Sequence, residues 1–110
     1  MQLSGTIMAQ KAETVFRVRV TKFLKTLNNA AYFPIQQVAI RGTPDFLLCV
    51  KGHFIALELK RDDKQGVKGL QAYNRTWIMR CGGDHFVVTP ENWEMMKIFL
   101  TLKGMDICSK

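Results

Sequence analysis

Hydrophobic residues recur at helical spacing in the first quarter of the chain. Between Ala9 and Leu27 they fall on one side of a helical wheel, with basic residues on the other. Glu13 lies inside the apolar arc, one turn before Arg17. The pattern predicts an amphipathic helix that ends near Asn28-Asn29 and turns its apolar arc to the core. The arc comprises Ala9, Ala12, Phe16, Val20, Phe23, Leu24 and Leu27.

The middle of the chain has the shorter period of β-strands. Residues 45–50 and 54–60 are strand-like runs separated by Lys51-Gly52-His53, which predicts a hairpin with a tight turn. Residues 35–41 are predicted as an edge strand, because Pro34 argues against an interior strand position. Gly42-Thr43-Pro44 separates this strand from the hairpin.

Helical spacing returns in the second half. A polar loop over residues 61–69 leads to a helix over 70–81 that ends at Gly82-Gly83. A short strand over 85–89 follows, and Pro90 opens a last helix that reaches about Lys103. The order α-β-β-β-α-β-α predicts an α/β protein with a mixed sheet flanked by helices.

Length and composition bound the organisation of the protein. The chain has 110 residues, of which 47% are hydrophobic, as expected for one domain over residues 1–110. Three cysteines at unrelated spacings indicate neither a disulfide framework nor a zinc ribbon. With no leader-like start and no run of 18 apolar residues, the expectation is a soluble, intracellular protein.

Charge narrows the choice of partner. The formal net charge is +7, and residues 1–80 hold 13 basic against 5 acidic side chains. Such a surface favours a polyanion, with nucleic acid first and an acidic membrane surface second. The membrane alternative is the weaker one, because the apolar arc of the first helix is needed for the core.

The predicted hairpin brings two acidic residues together. A two-residue turn at Lys51-Gly52 pairs residues whose numbers sum to 103, so Asp45 faces Glu58, with Lys60 on the same face. Two carboxylates about 5 Å apart repel by roughly 3 kcal/mol at an effective dielectric of ~20. A shared proton, the Lys60 ammonium or a divalent cation would relieve this repulsion, and a hard cation prefers oxygen ligands. Phosphodiester hydrolysis uses the same groups, namely a metal ion held by paired carboxylates and a lysine beside it.

These residues carry a family resemblance. Gly42-Thr43-Pro44-Asp45, followed after twelve residues by Glu58-Leu59-Lys60, resembles the PD-(D/E)XK nuclease signature. Over most of its length the chain resembles the virus-type replication-repair nuclease (VRR-NUC) domains, relatives of Holliday-junction resolvases with a restriction-endonuclease-like fold. One departure is Lys68, where relatives often carry Ser or Thr three residues before a glutamine at the start of the second helix. This departure concerns the helix cap more than the chemistry.

The resemblance implies a set of site residues. Asp45, Glu58 and the backbone carbonyl of Leu59 would bind Mg²⁺ or Mn²⁺, and Lys60 would be the catalytic lysine. Gln71 and Glu13 match the family's glutamine on the second helix and its acidic residue on the first. No small-molecule cofactor is expected.

The resemblance also implies a function. The expected activity is that of a Mg²⁺- or Mn²⁺-dependent deoxyribonuclease that selects branched DNA such as Holliday junctions and acts in DNA repair. The protein is expected to work as a homodimer. A virus or phage is the expected source, and the cytoplasm of the host would then be its location. The alternative is a module with the same fold that binds nucleic acid without cutting it.

Ordinary structural roles remain open for each residue. Glu58 can pair with Lys60 or Arg61 in a solvated ion pair worth under about 1 kcal/mol, and Glu13 can pair with Arg17. Gln71 taken alone is a surface helix residue.

The candidate phosphate contacts are Arg41, Arg61, Lys64 and Lys68. Core or dimer contacts, rather than base stacking, are expected of Tyr73, Trp77, Trp93, Met95 and Met96.

Overall fold

The computed structural model describes residues 3–36, 42–62 and 67–105, with side chains from residue 12 onward. Its elements are α1 (Leu3–Leu24), β1 (Ala30–Pro34), β2 (Phe46–Val50), β3 (His53–Leu59), α2 (Gly69–Arg80), β4 (Asp84–Val88) and α3 (Trp93–Met105). The predicted order α-β-β-β-α-β-α is confirmed. No helix among these residues is both long and apolar enough to cross a membrane.

The four strands form one mixed sheet in the order β1-β2-β3-β4. The β1–β2 and β2–β3 pairs are antiparallel, and β3–β4 is parallel with α2 as the crossover. The β2–β3 turn has positive φ at both Lys51 and Gly52, at 51° and 85°. This is the backbone of a two-residue type I′ turn, whose twist matches that of the strands it joins. The register Phe46↔Leu57 through Val50↔His53 follows, as predicted.

The core lies on one face of the sheet. Helices α1 and α3 cover this face, and Phe16 and Phe23 each meet the Trp93 ring edge to face at 5.9 and 5.4 Å. Because side chains alternate along a strand, the other face is left to α2 and to the polar site described below. The buried core comprises Phe16, Val20, Leu24, Phe46, Leu48, Val50, Ile55, Leu57, Val88, Trp93, Met96 and Leu100.

The first strand lies earlier than predicted. β1 spans Ala30–Pro34 and pairs with β2 from Ala30↔Val50 to Pro34↔Phe46, whereas Ile35 and Gln36 have no strand assignment. The rest of the predicted strand, residues 37–41, lies outside the described residues. Pro34 ends an edge strand, a position where the missing N–H breaks no ladder. Reading it as the boundary before a strand was therefore wrong.

The N-terminal part of the apolar arc was also predicted wrongly. Ala12 and Glu13 are exposed, and Phe16 is the first residue of α1 in the described core, because the preceding turn borders an open hollow lined by Glu13 and Thr14. The side chain of Ala9 lies outside the described part of the helix. The helix itself starts at Leu3 rather than Ala9 and ends at Leu24 rather than Leu27.

The first residues of α2 and α3 differ from the predicted ones by a few positions. α2 begins at Gly69, and its N-cap residue Lys68 makes no side-chain capping bond, as its departure from Ser or Thr suggested. α3 begins at Trp93, three residues after Pro90, because Thr89 and Asn92 close a turn first. The Asn92 carboxamide accepts from the Thr89 amide at 2.9 Å and donates to the Val87 carbonyl at 2.9 Å.

Candidate active site

The site forms where β2 begins and β3 ends. Asp45 precedes β2 by one residue, and its amide donates to the Leu57 carbonyl at 3.0 Å, which holds Asp45 at the end of the hairpin. The paired register ends at Phe46↔Leu57, so Glu58 follows Leu57 at the same end of the hairpin, whereas the predicted direct pairing of Asp45 with Glu58 lies one residue beyond that register. The period of two then places Lys60 on the same face as Glu58.

Both carboxylate oxygens of Asp45 are engaged. Oδ1 accepts from Arg17 Nη2 at 2.6 Å, and Oδ2 accepts from the Leu59 amide at 2.8 Å. The Arg17 guanidinium also lies over the Phe46 ring, 5.4 Å from its centroid. Asp45 is thereby fixed in orientation by one helix and one strand.

Glu58 is buried, and only one of its two carboxylate oxygens has a hydrogen-bond partner among the described residues. The residue is 4% exposed, and its Oε2 accepts from Gln71 Nε2 at 2.8 Å. Its Oε1 is buried and has no hydrogen-bond partner among the described residues. Because a buried carboxylate oxygen without a partner is costly, this atom marks a place for a ligand or a proton.

Gln71 connects Glu58 to Lys60. Its Nε2 donates to the glutamate, and its Oε1 accepts from Lys60 Nζ at 3.0 Å. A carboxylate only accepts and an ammonium only donates, so the two neighbours determine the amide orientation. The glutamine on the first turn of α2 thus holds the lysine head beside the paired acids.

The environment of Glu58 favours its neutral form. Burial, followed by the nearby charge of Asp45, raises the pKa of Glu58 to about 7, against the lowering effect of Lys60 and Arg17. A proton on Glu58 is one of the three ways of relieving the repulsion between the carboxylates. Lys60 acts through its charge, since its ammonium donates to Gln71 Oε1, and a bound cation would act on the carboxylate oxygens themselves.

A hollow of about 290 Å³ opens in front of these groups, lined by residues of α1 and of the β3 end. Glu13 lines it with a carboxylate that is 56% exposed and lies 3.9 Å from Arg61 Nη1. Glu13 and Arg61 therefore stand at the rim of the site. Arg17, the expected partner of Glu13, pairs with Asp45, so the i,i+4 pair is replaced by a tertiary contact.

Of the other predicted DNA contacts, only Lys68 lies within the described residues. Lys68 is exposed at the N-cap of α2, whereas Arg41 and Lys64 belong to undescribed segments. Of the expected core or dimer residues, Trp93 and Met96 are buried. Tyr73, Trp77 and Met95 are 65%, 57% and 74% exposed, so they are not core residues.

The donor set suits a hard divalent cation. Among the described residues no three His, Cys, Asp or Glu side chains gather into a metal-holding group. Mg²⁺, however, is commonly held by one or two carboxylates and keeps several waters. Asp45, Glu58 with its unpartnered Oε1, and the Leu59 carbonyl would supply such ligands.

Sequence reasoning missed Arg17 as a site residue. Its position beside Phe16 at the border of the apolar arc was the available signal, because a long side chain there can reach over the sheet edge. His85 is buried on β4, where burial and then the charge of Arg75 lower its pKa.

The chain was also compared with known proteins. No protein-family model, no curated protein and no solved structure matches it.

Replacing Glu58 with glutamine is expected to stabilise the metal-free protein at pH 8 by about 2 kcal/mol, and to have little effect at pH 4.5. In the native state the pKa of Glu58 is raised to about 7, whereas the ordinary pKa of a glutamate carboxyl is 4.5. Between these values the native state binds more protons, so wild-type stability falls as pH rises. Glutamine removes that decline.

Urea unfolding in the presence of a chelator, from pH 4.5 to 8, measures this difference. His85 titrates with the opposite sign, because its lowered pKa costs stability as pH falls below 6.5. That contribution is common to both proteins and cancels in the difference. Glu91→Gln, which removes an exposed carboxylate, is the control. Parallel pH profiles for wild type and Glu58→Gln would contradict the assignment.

Proposed function

We propose that the protein is a Mg²⁺- or Mn²⁺-dependent nuclease that hydrolyses phosphodiester bonds in DNA. The observation that carries the proposal is the hydrogen-bonded series Glu58–Gln71–Lys60 beside Asp45. Two acids and an ammonium line one hollow, and an amide from α2 joins Glu58 to Lys60. A solvated ion pair at a strand end requires neither the burial of Glu58 nor the bridging amide.

Each residue has a defined part in this proposal. Asp45 and Glu58 hold the cation together with the Leu59 carbonyl; when bound, the cation acts as a Lewis acid on a phosphate oxygen and lowers the pKa of its water. Lys60 stabilises the negative charge that develops on the phosphate. Gln71 is a positioning residue, since it directs the Lys60 ammonium. Glu13 lies at the rim of the hollow and acts on the site through Arg61.

The charge of the surface supports a nucleic acid as substrate. Arg19, Lys22 and Lys25 are exposed on the outer side of α1, and Arg61 lies at the rim of the site. Positive side chains in such positions contact phosphates and place a strand without reading its sequence. Selection of DNA by shape, for example of a branched junction, agrees with this kind of surface.

A homodimer belongs to the same proposal. Each copy carries one hollow, whereas a branched junction presents more than one strand for cutting. Two copies related by a two-fold axis would place two such sites on one junction.

A panel of labelled DNA structures tests the activity. Four-way junctions, flaps, single strands and plain duplexes are incubated with the protein, with and without Mn²⁺. We expect Mn²⁺-dependent nicking, strongest on branched DNA, and its loss in Asp45→Ala, while binding to the same DNA stays within a few-fold.

The panel also separates the alternative. Binding to all substrates without nicking of any would favour the non-cleaving nucleic-acid-binding module. Cleavage that continues unchanged in Asp45→Ala would refute the assigned site, whereas cleavage of RNA in place of DNA would correct only the substrate. Asp84→Ala, which removes a carboxylate at the start of β4, is the matched control.

A further inference from the structure

Arg17 occupies an unusual place between the core and the site. It follows the buried Phe16 on α1, yet its side chain is 41% exposed and reaches Asp45, 28 residues away in sequence. The contact of 2.6 Å is a charge-assisted hydrogen bond. The guanidinium also rests on the Phe46 ring, which holds it in position without burying it.

The two carboxylates of the site consequently differ in availability. Glu58 keeps Oε1 without a partner among the described residues, whereas Asp45 has Oδ1 bound to Arg17 and Oδ2 bound to the Leu59 amide. A divalent cation shared by the two acids would lie close to the guanidinium. Two positive charges close to one another repel, so the cation and the Arg17 guanidinium would compete for Asp45 Oδ1.

We propose that Arg17 is the resident counter-charge of the site and that a divalent metal ion displaces it from Asp45 Oδ1. The inference rests on the proposed function and adds a mechanism of metal entry to it. Arg17 neutralises Asp45 while no metal is bound, and its release accompanies binding. It acts through Asp45 and is therefore a positioning residue.

Glu13 offers a second partner to the Arg17 side chain once it leaves Asp45. Glu13 lies one turn earlier on α1, at the i−4 position, and its carboxylate is 56% exposed in the lining of the same hollow. A rotation of the Arg17 side chain alone suffices to exchange Asp45 for Glu13, because i,i+4 partners are neighbours on a helix. The backbone of α1 and its buried residues can stay in position during this exchange.

Calorimetric titration with Mn²⁺ alone, at pH 8 and without DNA, tests the proposal. The proteins are wild type, Arg17→Gln and Arg19→Gln; Arg19 is exposed on the same helix and pairs with neither acid of the site. We expect Arg17→Gln to bind Mn²⁺ about 10-fold more tightly than wild type, and Arg19→Gln to stay within about twofold. The control removes the same charge, so it corrects for the general field of the protein.

Thermal unfolding supplies a second readout that does not depend on activity. Without metal, Arg17→Gln should unfold at a lower temperature than wild type, because Asp45 loses its counter-charge. Saturating Mn²⁺ should raise its unfolding temperature by more than that of wild type. Arg17→Met, which keeps an apolar chain over the Phe46 ring, should behave in the same way and serves if the glutamine variant does not fold.

The outcomes separate this inference from the proposed function. Equal or weaker Mn²⁺ binding by both Arg17 variants, with clear binding by wild type, would overturn the role of Arg17 and leave the metal site standing. Absence of Mn²⁺ binding by wild type and variants alike would overturn both the inference and the metal-dependent nuclease.

Discussion

Replacement of Lys60 with methionine is expected to slow DNA cleavage by two to three orders of magnitude, the usual effect of removing one preorganised group that stabilises transition-state charge. Methionine keeps most of the length of the side chain and loses only the ammonium. Glu58 and Gln71 remain hydrogen-bonded to each other, so the carboxylates should stay in position. DNA affinity should change by less than about threefold, because one exposed phosphate contact contributes little to the total.

Single-turnover cleavage and direct DNA binding, measured on the same substrate, distinguish the two effects. Lys103→Met is the matched control, since this lysine lies on α3 over the Phe99 ring, on the core side of the sheet. Equal losses of cleavage and binding in Lys60→Met would make Lys60 a binding residue. An unchanged cleavage rate would remove the lysine from the mechanism.

Substitution of Gly42 by alanine should destabilise the fold by about 3 kcal/mol, through strain at positive φ together with overpacking. Gly42 has a φ of 78°, and a Cβ atom on it would lie 2.6 Å from the carbonyl carbon of Leu70 and 2.8 Å from the amide nitrogen of Gln71. Both are backbone atoms at the start of α2, so neither can rotate away. The first turn of α2 must move, and Gln71 moves with it.

Gly52→Ala isolates the cost of the backbone conformation. Gly52 also has a positive φ, at 85°, but nothing lies within 4 Å of a Cβ placed on it. This variant should lose about 1 kcal/mol in urea unfolding, against about 3 kcal/mol for Gly42→Ala. Among folded molecules, only Gly42→Ala should also cleave DNA more slowly. Equal destabilisation by the two substitutions would show that contact between residue 42 and α2 is unimportant.

The contact with α2 explains why a glycine stands at the start of the Gly-Thr-Pro-Asp segment. Residue 42 supports the helix that carries Gln71, and Asp45 three residues later enters the site itself. One short segment therefore sets both the acid and the position of the bridging amide. The sequence marks this glycine as a break after a strand and as part of the nuclease-like signature, whereas its close approach to α2 leaves no local pattern.

The sequence predicts the element order, the hairpin register and the gathering of Asp45, Glu58 and Lys60 at one end of the hairpin. These properties depend on local rules, namely a two-residue turn at Lys51-Gly52 and the period of two along a strand. A one-residue change of register would turn the apolar residues of one strand, either Leu48 of β2 or Leu57 of β3, out of the core. Hydrophobic burial therefore selects one pairing, and the positions of the acids follow from it.

Which side chains meet across elements depends on the tertiary packing. Arg17 had a local partner available in Glu13, yet it pairs with Asp45, because the packing of Phe16 and Val20 places this side of α1 beside the sheet edge. Equally, the link from Gln71 to Lys60 depends on how close α2 approaches β3. Such distances arise from the packing of the whole core, which no spacing along the chain encodes.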